Sequence, residues 1–242
     1  MALRIGLFAV FALFWVIALL PLKAVMIAAG GASAFGYQDV YGSVWSGRIY
    51  GLRLNGDRVG EISVSLKPLP LLIGRLSADW RISDTSLRGA GQASLSGDHV
   101  SARNVALDVS LRRLGLNDIP GLTGGETVRL SILELEMDGD ICVRAAGDVR
   151  SDALAQLAES YGFTGPALEG ILTCIDDRLA LDLVGQSEVM DVSGRVYFSR
   201  SGYEWTIEAE TVQGELADAF ALLGLERDGG VWRYEGSRSY AG

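Results

Sequence analysis

The chain has 242 residues, a formal net charge of −9, 49% hydrophobic residues and 31 glycines. A protein this acidic repels a phosphate backbone, so no nucleic-acid partner is expected. One histidine and two cysteines are too few for a zinc site, and no P-loop or dinucleotide-binding fingerprint occurs. No cofactor or bound metal is therefore expected.

An uncharged segment at residues 5–22 follows Arg4 directly. As a helix it would span about 27 Å, close to the thickness of a bilayer core. Positive charge at its start predicts a cytoplasmic N-terminus and export of the rest. We predict an uncleaved single-pass anchor, with residues 1–36 as tail, anchor and juxtamembrane segment, and 37–242 as one exported domain. The alternative is a signal peptide cleaved near Ala32-Ser33-Ala34.

Beyond residue 36 the apolar residues recur with a period of two, which is typical of half-buried antiparallel strands. Such alternation is found at 61–66, 76–82, 105–111, 141–145, 179–183, 192–198 and 203–209. Between Ile132 and Leu133 its phase slips by one, which predicts a bulge or a turn. The predicted fold is mainly β: a transmembrane helix, then a single curved antiparallel sheet, built as a meander of hairpins resembling a groove or half-barrel.

Two segments have helical periodicity instead. Residues 151–161 are followed directly by Gly162, and residues 215–223 are followed directly by Gly224. Each predicts a helix of about three turns that packs on the sheet or closes one of its ends.

The two cysteines, Cys142 and Cys174, each lie in a predicted strand. In an exported domain a disulfide between them is expected, and closing that loop contributes about 3–4 kcal/mol. The alternative is a pair of free, buried thiols, which behave as small hydrophobic residues.

Candidate catalytic groups do not combine into a recognisable active site. Hydrolysis by a serine nucleophile needs a general base, normally a histidine. The only histidine in the sequence, His99, falls in a predicted turn. The pair Asp176-Asp177 is also a predicted turn, and Glu134 with Glu136 forms the polar face of a strand. The chain is therefore predicted not to be an enzyme. Trp45, Trp80 and Trp205 are interpreted as strand-face packing rather than a ligand platform.

Two short motifs stand apart from the regular alternation. The first is Gly42-Ser-Val-Trp-Ser-Gly47, in which glycines flank Trp45. We interpret Trp45 as an anchor for the first hairpin, packed where the glycines let the backbone bend closely. The second is an apolar connection at residues 66–76, which contains Pro68, Leu71, Leu72 and Gly74. It is expected to cover an open end of the sheet, or else to face the membrane.

With these two motifs, the sequence resembles the protein N family of the type II (general) secretion pathway. Gly42–Gly47 is similar to that family's glycine-flanked tryptophan strand, and Pro68, Leu71, Leu72 and Gly74 fit its connection. Residues 168–170, Cys174, 179–183 and 222–224 are similar to its C-terminal half. In place of the aromatic residue that the family often shows before the connection, this chain has Val64-Ser-Leu66.

The resemblance implies an accessory scaffold subunit of the type II secretion system, anchored in the inner membrane with its β domain in the periplasm. Its partners would be other secretion subunits and the membrane. A more distant similarity to AsmA-like proteins implies an alternative, a periplasmic β groove that binds or transfers lipid.

Overall fold

The computed structural model describes residues 15, 19–28, 36–54, 57–114, 125–222 and 224–239. These residues group into two compact units, divided between Thr85 and Ser86. Most of the predicted anchor and the alternative cleavage site lie outside the described residues. Among the residues that are described, none of the helices is long and apolar enough to cross a membrane. The membrane anchor and the single domain 37–242 stay predictions.

The first unit contains four strands, each antiparallel to the one before: β1 (Asp39–Ser43), β2 (Ser46–Leu54), β3 (Asp57–Leu66) and β4 (Leu76–Ser83). The short helix α1 (Leu22–Ala28) precedes β1, and the single turn α2 (Pro68–Leu71) joins β3 to β4. The unit is held by buried apolar side chains, namely Leu22, Val40, Val44, Ile49, Val59 and Ile62.

The second unit is an antiparallel meander of ten strands in which β14 lies between β12 and β13. Its strands are β5 (Leu87–Ser96), β6 (His99–Ser110), β7 (Thr127–Asp138), β8 (Ile141–Ser151), β9 (Leu168–Ile175), β10 (Arg178–Gln186), β11 (Met190–Phe198), β12 (Gly202–Thr211), β13 (Glu226–Asp228) and β14 (Val231–Ser239). A 3-10 turn (Leu111–Leu114) follows β6. The helix α3 (Ala153–Ser160) joins β8 to β9, and α4 (Gly214–Leu222) joins β12 to β13.

The strand register gives the second unit one apolar face and one polar face, because directly opposed residues point to the same side of a sheet. One apolar row consists of Val105, Ile132, Gly147, Leu172, Leu181, Val196 and Trp205. The opposed residues of the polar row are Asp108, Arg129, Arg150, Glu169, Val184, Ser193, Glu208 and Arg233.

The helices cover one end of the apolar face. Leu216 and Phe220 of α4 form a buried cluster with Met190 and Ala209 of the sheet, and Leu154 of α3 packs against it. Removing these side chains from water is worth about 25 cal/mol per Å² of apolar surface. The two helices are therefore fixed to the sheet by burial rather than by their own helical propensity.

Within each unit the mainly β, antiparallel prediction is confirmed, as are the two short helices and their glycine ends. Gly162 and Gly224 have φ of 80° and 85°, as expected for helix C-termini. The bulge is confirmed as well, with Leu133 as the extra residue between Ile132 and Glu134. The predicted curvature, groove or half-barrel stays a prediction.

Candidate interaction surfaces

The glycine-flanked motif forms the hairpin between β1 and β2. Val44 and Trp45 occupy the turn, and Gly42 stands directly opposite Gly47 in the ladder. Gly42 has φ of 86°, a conformation that favours glycine. The motif therefore reverses the chain tightly at the start of the sheet.

Gly47 also permits a close approach between this hairpin and α1. A Cβ atom at position 47 would overlap the side chain of Leu22 and would lie 2.9 Å from the carbonyl oxygen of Ser43. Leu22 is buried, as is Val44, whereas Trp45 is half-buried. The structure thus places Leu22 in the space beside Gly47, and the anchoring role of Trp45 stays a prediction.

Backbone hydrogen bonds join the end of the N-terminal segment to this end of the sheet. The amide of Val44 donates to the carbonyl of Leu20 at 3.1 Å, and the amide of Leu66 donates to the carbonyl of Val44 at 3.1 Å. Pro21 forms a further bridge with Ser43. The last residues of the uncharged segment therefore lie beside the β1–β2 turn, whose Val44 is bonded to the end of β3.

The connection that begins at this place is a rigid turn. Pro68 and Pro70 fix the backbone of α2. Gly74, with φ of 74°, ends it: the amide of Gly74 donates to Leu71, and the amide of Arg75 donates to Pro70. These are the two hydrogen bonds of a Schellman motif. The short connection therefore has a defined conformation.

The apolar side chains of this connection point into solvent. Leu69, Leu72 and Ile73 are 76%, 83% and 77% exposed, and we call these three residues the apolar knob. Leu71 is 37% exposed, and no residue of α2 is buried. The expectation that the connection covers an open end of the sheet is therefore wrong, because Leu69, Leu72 and Ile73 are exposed to solvent rather than packed on the strands.

The disulfide prediction is confirmed. Cys142 and Cys174 are bonded with a sulfur–sulfur distance of 2.07 Å and a Cα–Cα distance of 5.6 Å. The bond lies where β8 and β9 no longer pair, beyond their last opposed residues, Gly147 and Leu172. It therefore closes the sheet covalently where the ladder of hydrogen bonds ends.

Ion pairs between neighbouring strands line the polar face. Arg103 contacts Glu134 at 2.9 Å and Glu136 at 2.8 Å, and Arg144 contacts Glu134 at 3.2 Å. The hydrogen bond from Arg144, followed by that from Arg103, holds the pKa of Glu134 below its ordinary value, although desolvation acts in the opposite direction. Glu134 and Glu136, which the sequence offered as candidate acid–base groups, are thus bound by arginines.

The polar face also has an open depression of about 540 Å³ across β10, β11 and β12. Its charged groups include Asp182, which is paired with Arg195, and Glu208. A neighbouring depression is lined by Asp191 and Glu210, which stand opposite each other in the ladder. This part of the face is rich in carboxylates, and sequence reasoning missed it because its residues come from three separate strands.

The remaining candidate residues are dispersed. His99 begins β6, and Asp176-Asp177 form the β9–β10 turn with φ of 49° and 60°. Trp205 lies among the aromatic rings of Tyr203 and Tyr234. Among the described residues no group of three or more histidine, cysteine, aspartate or glutamate side chains could hold a metal ion.

The fold and these surfaces define a mainly β protein with an apolar knob, one apolar sheet face and one ion-paired face. The family model of type II secretion system protein N matches residues 33–234, which is most of the chain. The protein therefore belongs to the type II secretion system protein N family. No curated protein and no solved structure matches the chain.

Proposed function

We propose that the protein is a non-enzymatic accessory subunit of the type II secretion system. Its N-terminal segment anchors it in the inner membrane, and residues 37–242 form a periplasmic scaffold that takes part in protein export across the outer membrane. The observation that carries this proposal is the family match over residues 33–234. Family membership favours other subunits of the same system as partners.

The scaffold acts through sheet faces rather than by strand addition at β13. That strand has three residues, Glu226-Arg227-Asp228, all of them exposed and charged. A short, charged edge discourages pairing with another chain. The polar face instead offers carboxylates and arginines that can be matched by opposite charges on a partner, and such complementarity gives orientation and specificity.

Capture of the tagged full-length protein from solubilised membranes tests the proposal. Other secretion subunits are expected to be recovered with it, and deletion of its gene is expected to retain the secreted proteins in the periplasm. Recovery of no secretion component, together with normal secretion in the deletion strain, would contradict the proposal.

A second candidate function is lipid binding of the AsmA-like kind, and the apolar face of the second unit favours it. Leu181, Val196 and Trp205 are only half-buried on that face, away from the cluster that α3 and α4 cover. A row of half-buried apolar side chains can shield acyl chains from water.

Mass spectrometry of the full-length protein, extracted in detergent and then exchanged into an amphipathic polymer, separates the two functions. A lipid carrier is expected to keep bound lipid that Leu181→Asn reduces, whereas Val212→Asn, at an exposed position after β12, leaves it unchanged. Equal lipid content in both variants would count against lipid binding on the apolar face.

A further inference from the structure

Among the described residues of the first unit, the apolar knob is the most exposed group of large apolar side chains. Leu69, Leu72 and Ile73 project from a connection fixed by two prolines and a Schellman motif. Exposing three neighbouring apolar side chains to water is unfavourable, so such a patch marks a surface that another phase or molecule covers.

The position of the knob identifies what covers it. Lys67 begins the connection immediately after Leu66, whose amide is bonded to Val44, and Val44 is bonded in turn to Leu20. Hydrogen-bonded strands lie about 5 Å apart, so Leu66 and Leu20 flank Val44 at about that spacing on each side. Just before Leu20, Leu19 is 67% exposed and Trp15 is 49% exposed. The knob therefore projects from the same end of the first unit's sheet as residues 20–22, the last of the uncharged segment.

The charges around the knob fit a membrane surface. Lys67 and Arg75 flank it, and no acidic residue occurs between Leu66 and Ala78 in a chain with net charge −9. Lys67 forms an ion pair with Asp79 at 2.9 Å, and Arg75 is exposed. Apolar tips flanked by basic side chains suit the boundary between acyl chains and anionic headgroups.

We propose that the apolar knob inserts into the outer leaflet of the membrane that anchors the chain, as a second and peripheral contact. This inference rests on the membrane anchoring proposed above. The anchor alone would hold the first unit to the membrane at one place, whereas insertion of Leu69, Leu72 and Ile73 at a second place fixes the orientation of its sheet relative to the bilayer.

Site-directed fluorescence of the full-length protein in vesicles tests the inference. Both native cysteines are in the disulfide, so a single introduced cysteine is the only reactive thiol. Leu72→Cys and, separately, Ile73→Cys carry an environment-sensitive fluorophore. The matched control is Ser83→Cys, exposed at the far end of β4 and about 23 Å from Leu76 at 3.3 Å per residue. The vesicles contain phosphatidylethanolamine, phosphatidylglycerol and a nitroxide-labelled phosphatidylcholine.

The labels at positions 72 and 73 are expected to show blue-shifted emission and several-fold stronger quenching by the nitroxide lipid than the label at 83. Equal, weak quenching at all three positions would overturn the inference, since the knob would then face water. Blue-shifted emission without quenching would also overturn it, because a protein surface would then cover the knob. Flotation of the chain with the vesicles measures anchoring separately, so failure of the anchor and failure of the knob are distinguishable.

Discussion

At the scale of single residues, Gly47 shows how the absence of a side chain permits a close approach. The position lies in β2 opposite Gly42, and the side chain of Leu22 occupies the space where a Cβ atom would project. The absence of a side chain at position 47 therefore lets the first residue of α1 pack directly against the β1–β2 hairpin. Its role could not be read from the sequence, in which Trp45 is the more conspicuous neighbour.

Gly47→Ala is expected to destabilise the first unit by about 1–3 kcal/mol, because the added methyl group overpacks against Leu22. Thermal unfolding of the detergent-solubilised protein measures the loss. Gly214→Ala is the control, since a Cβ atom there would meet nothing within 4 Å. Equal melting temperatures for the two variants would contradict the prediction, because Leu22 would then move aside without loss of stability.

Glu134 gives the protein a specific dependence on pH. Its pKa is lowered in the folded protein, mainly by the hydrogen bond from Arg144. The corresponding stabilisation is therefore fully present above the pKa of the unfolded chain and is lost as the pH falls through the lower, folded pKa.

Glu134→Gln is expected to remove this contribution, so that stability falls less steeply on acidification than in the native protein. Denaturant unfolding at a series of acidic pH values measures the slope. Glu159→Gln, an exposed carboxylate on α3, controls for the loss of one charge. An unchanged dependence of stability on pH in Glu134→Gln would mean that the arginine contacts do not lower the pKa of Glu134.

At the scale of elements, the disulfide and the short turn of α2 show what local pattern can and cannot predict. Period-two alternation predicted β3, β4, β6, β8, β10, β11 and β12, and the phase slip between Ile132 and Leu133 predicted the bulge. Gly162 and Gly224 predicted where the two helices end. The sequence pattern gave a wrong prediction for the apolar knob. A run of apolar residues does not show whether other parts of the fold bury it. The pattern also missed the start of α3, where the amide of Ala153 is bonded to the hydroxyl of Ser151 at 3.3 Å rather than capped by Asp152.

Replacing both cysteines by serine is expected to destabilise the second unit by about 3–4 kcal/mol, because the unfolded chain regains the entropy of the closed loop. Chemical denaturation with and without reductant measures the effect, and reductant is expected to change only the native protein. Two alkylatable thiols in the native protein, unfolded without reductant, would contradict the bonded geometry.

At the scale of the whole molecule, the net charge of −9 and the distribution of charge over the sheet bear on partner binding. Most of the polar face is internally neutralised, as at Arg233 with Glu208. Asp191 and Glu210 are two like charges that stand directly opposite each other on neighbouring strands. Such a pair costs stability, so its presence favours a surface that meets positive charge on another subunit.

Asp191→Asn combined with Glu210→Gln is therefore expected to leave stability unchanged or raised by about 0.2–1 kcal/mol, while reducing the recovery of secretion subunits. Capture from solubilised membranes at increasing ionic strength measures the second effect. Recovery by the native protein is expected to fall with salt, because screening weakens attraction between exposed charges. The matched control, Asp152→Asn with Glu159→Gln, removes two exposed carboxylates at α3 and is expected to retain native recovery. Salt-independent recovery, equal for both double variants, would place the partner's contact away from the polar face.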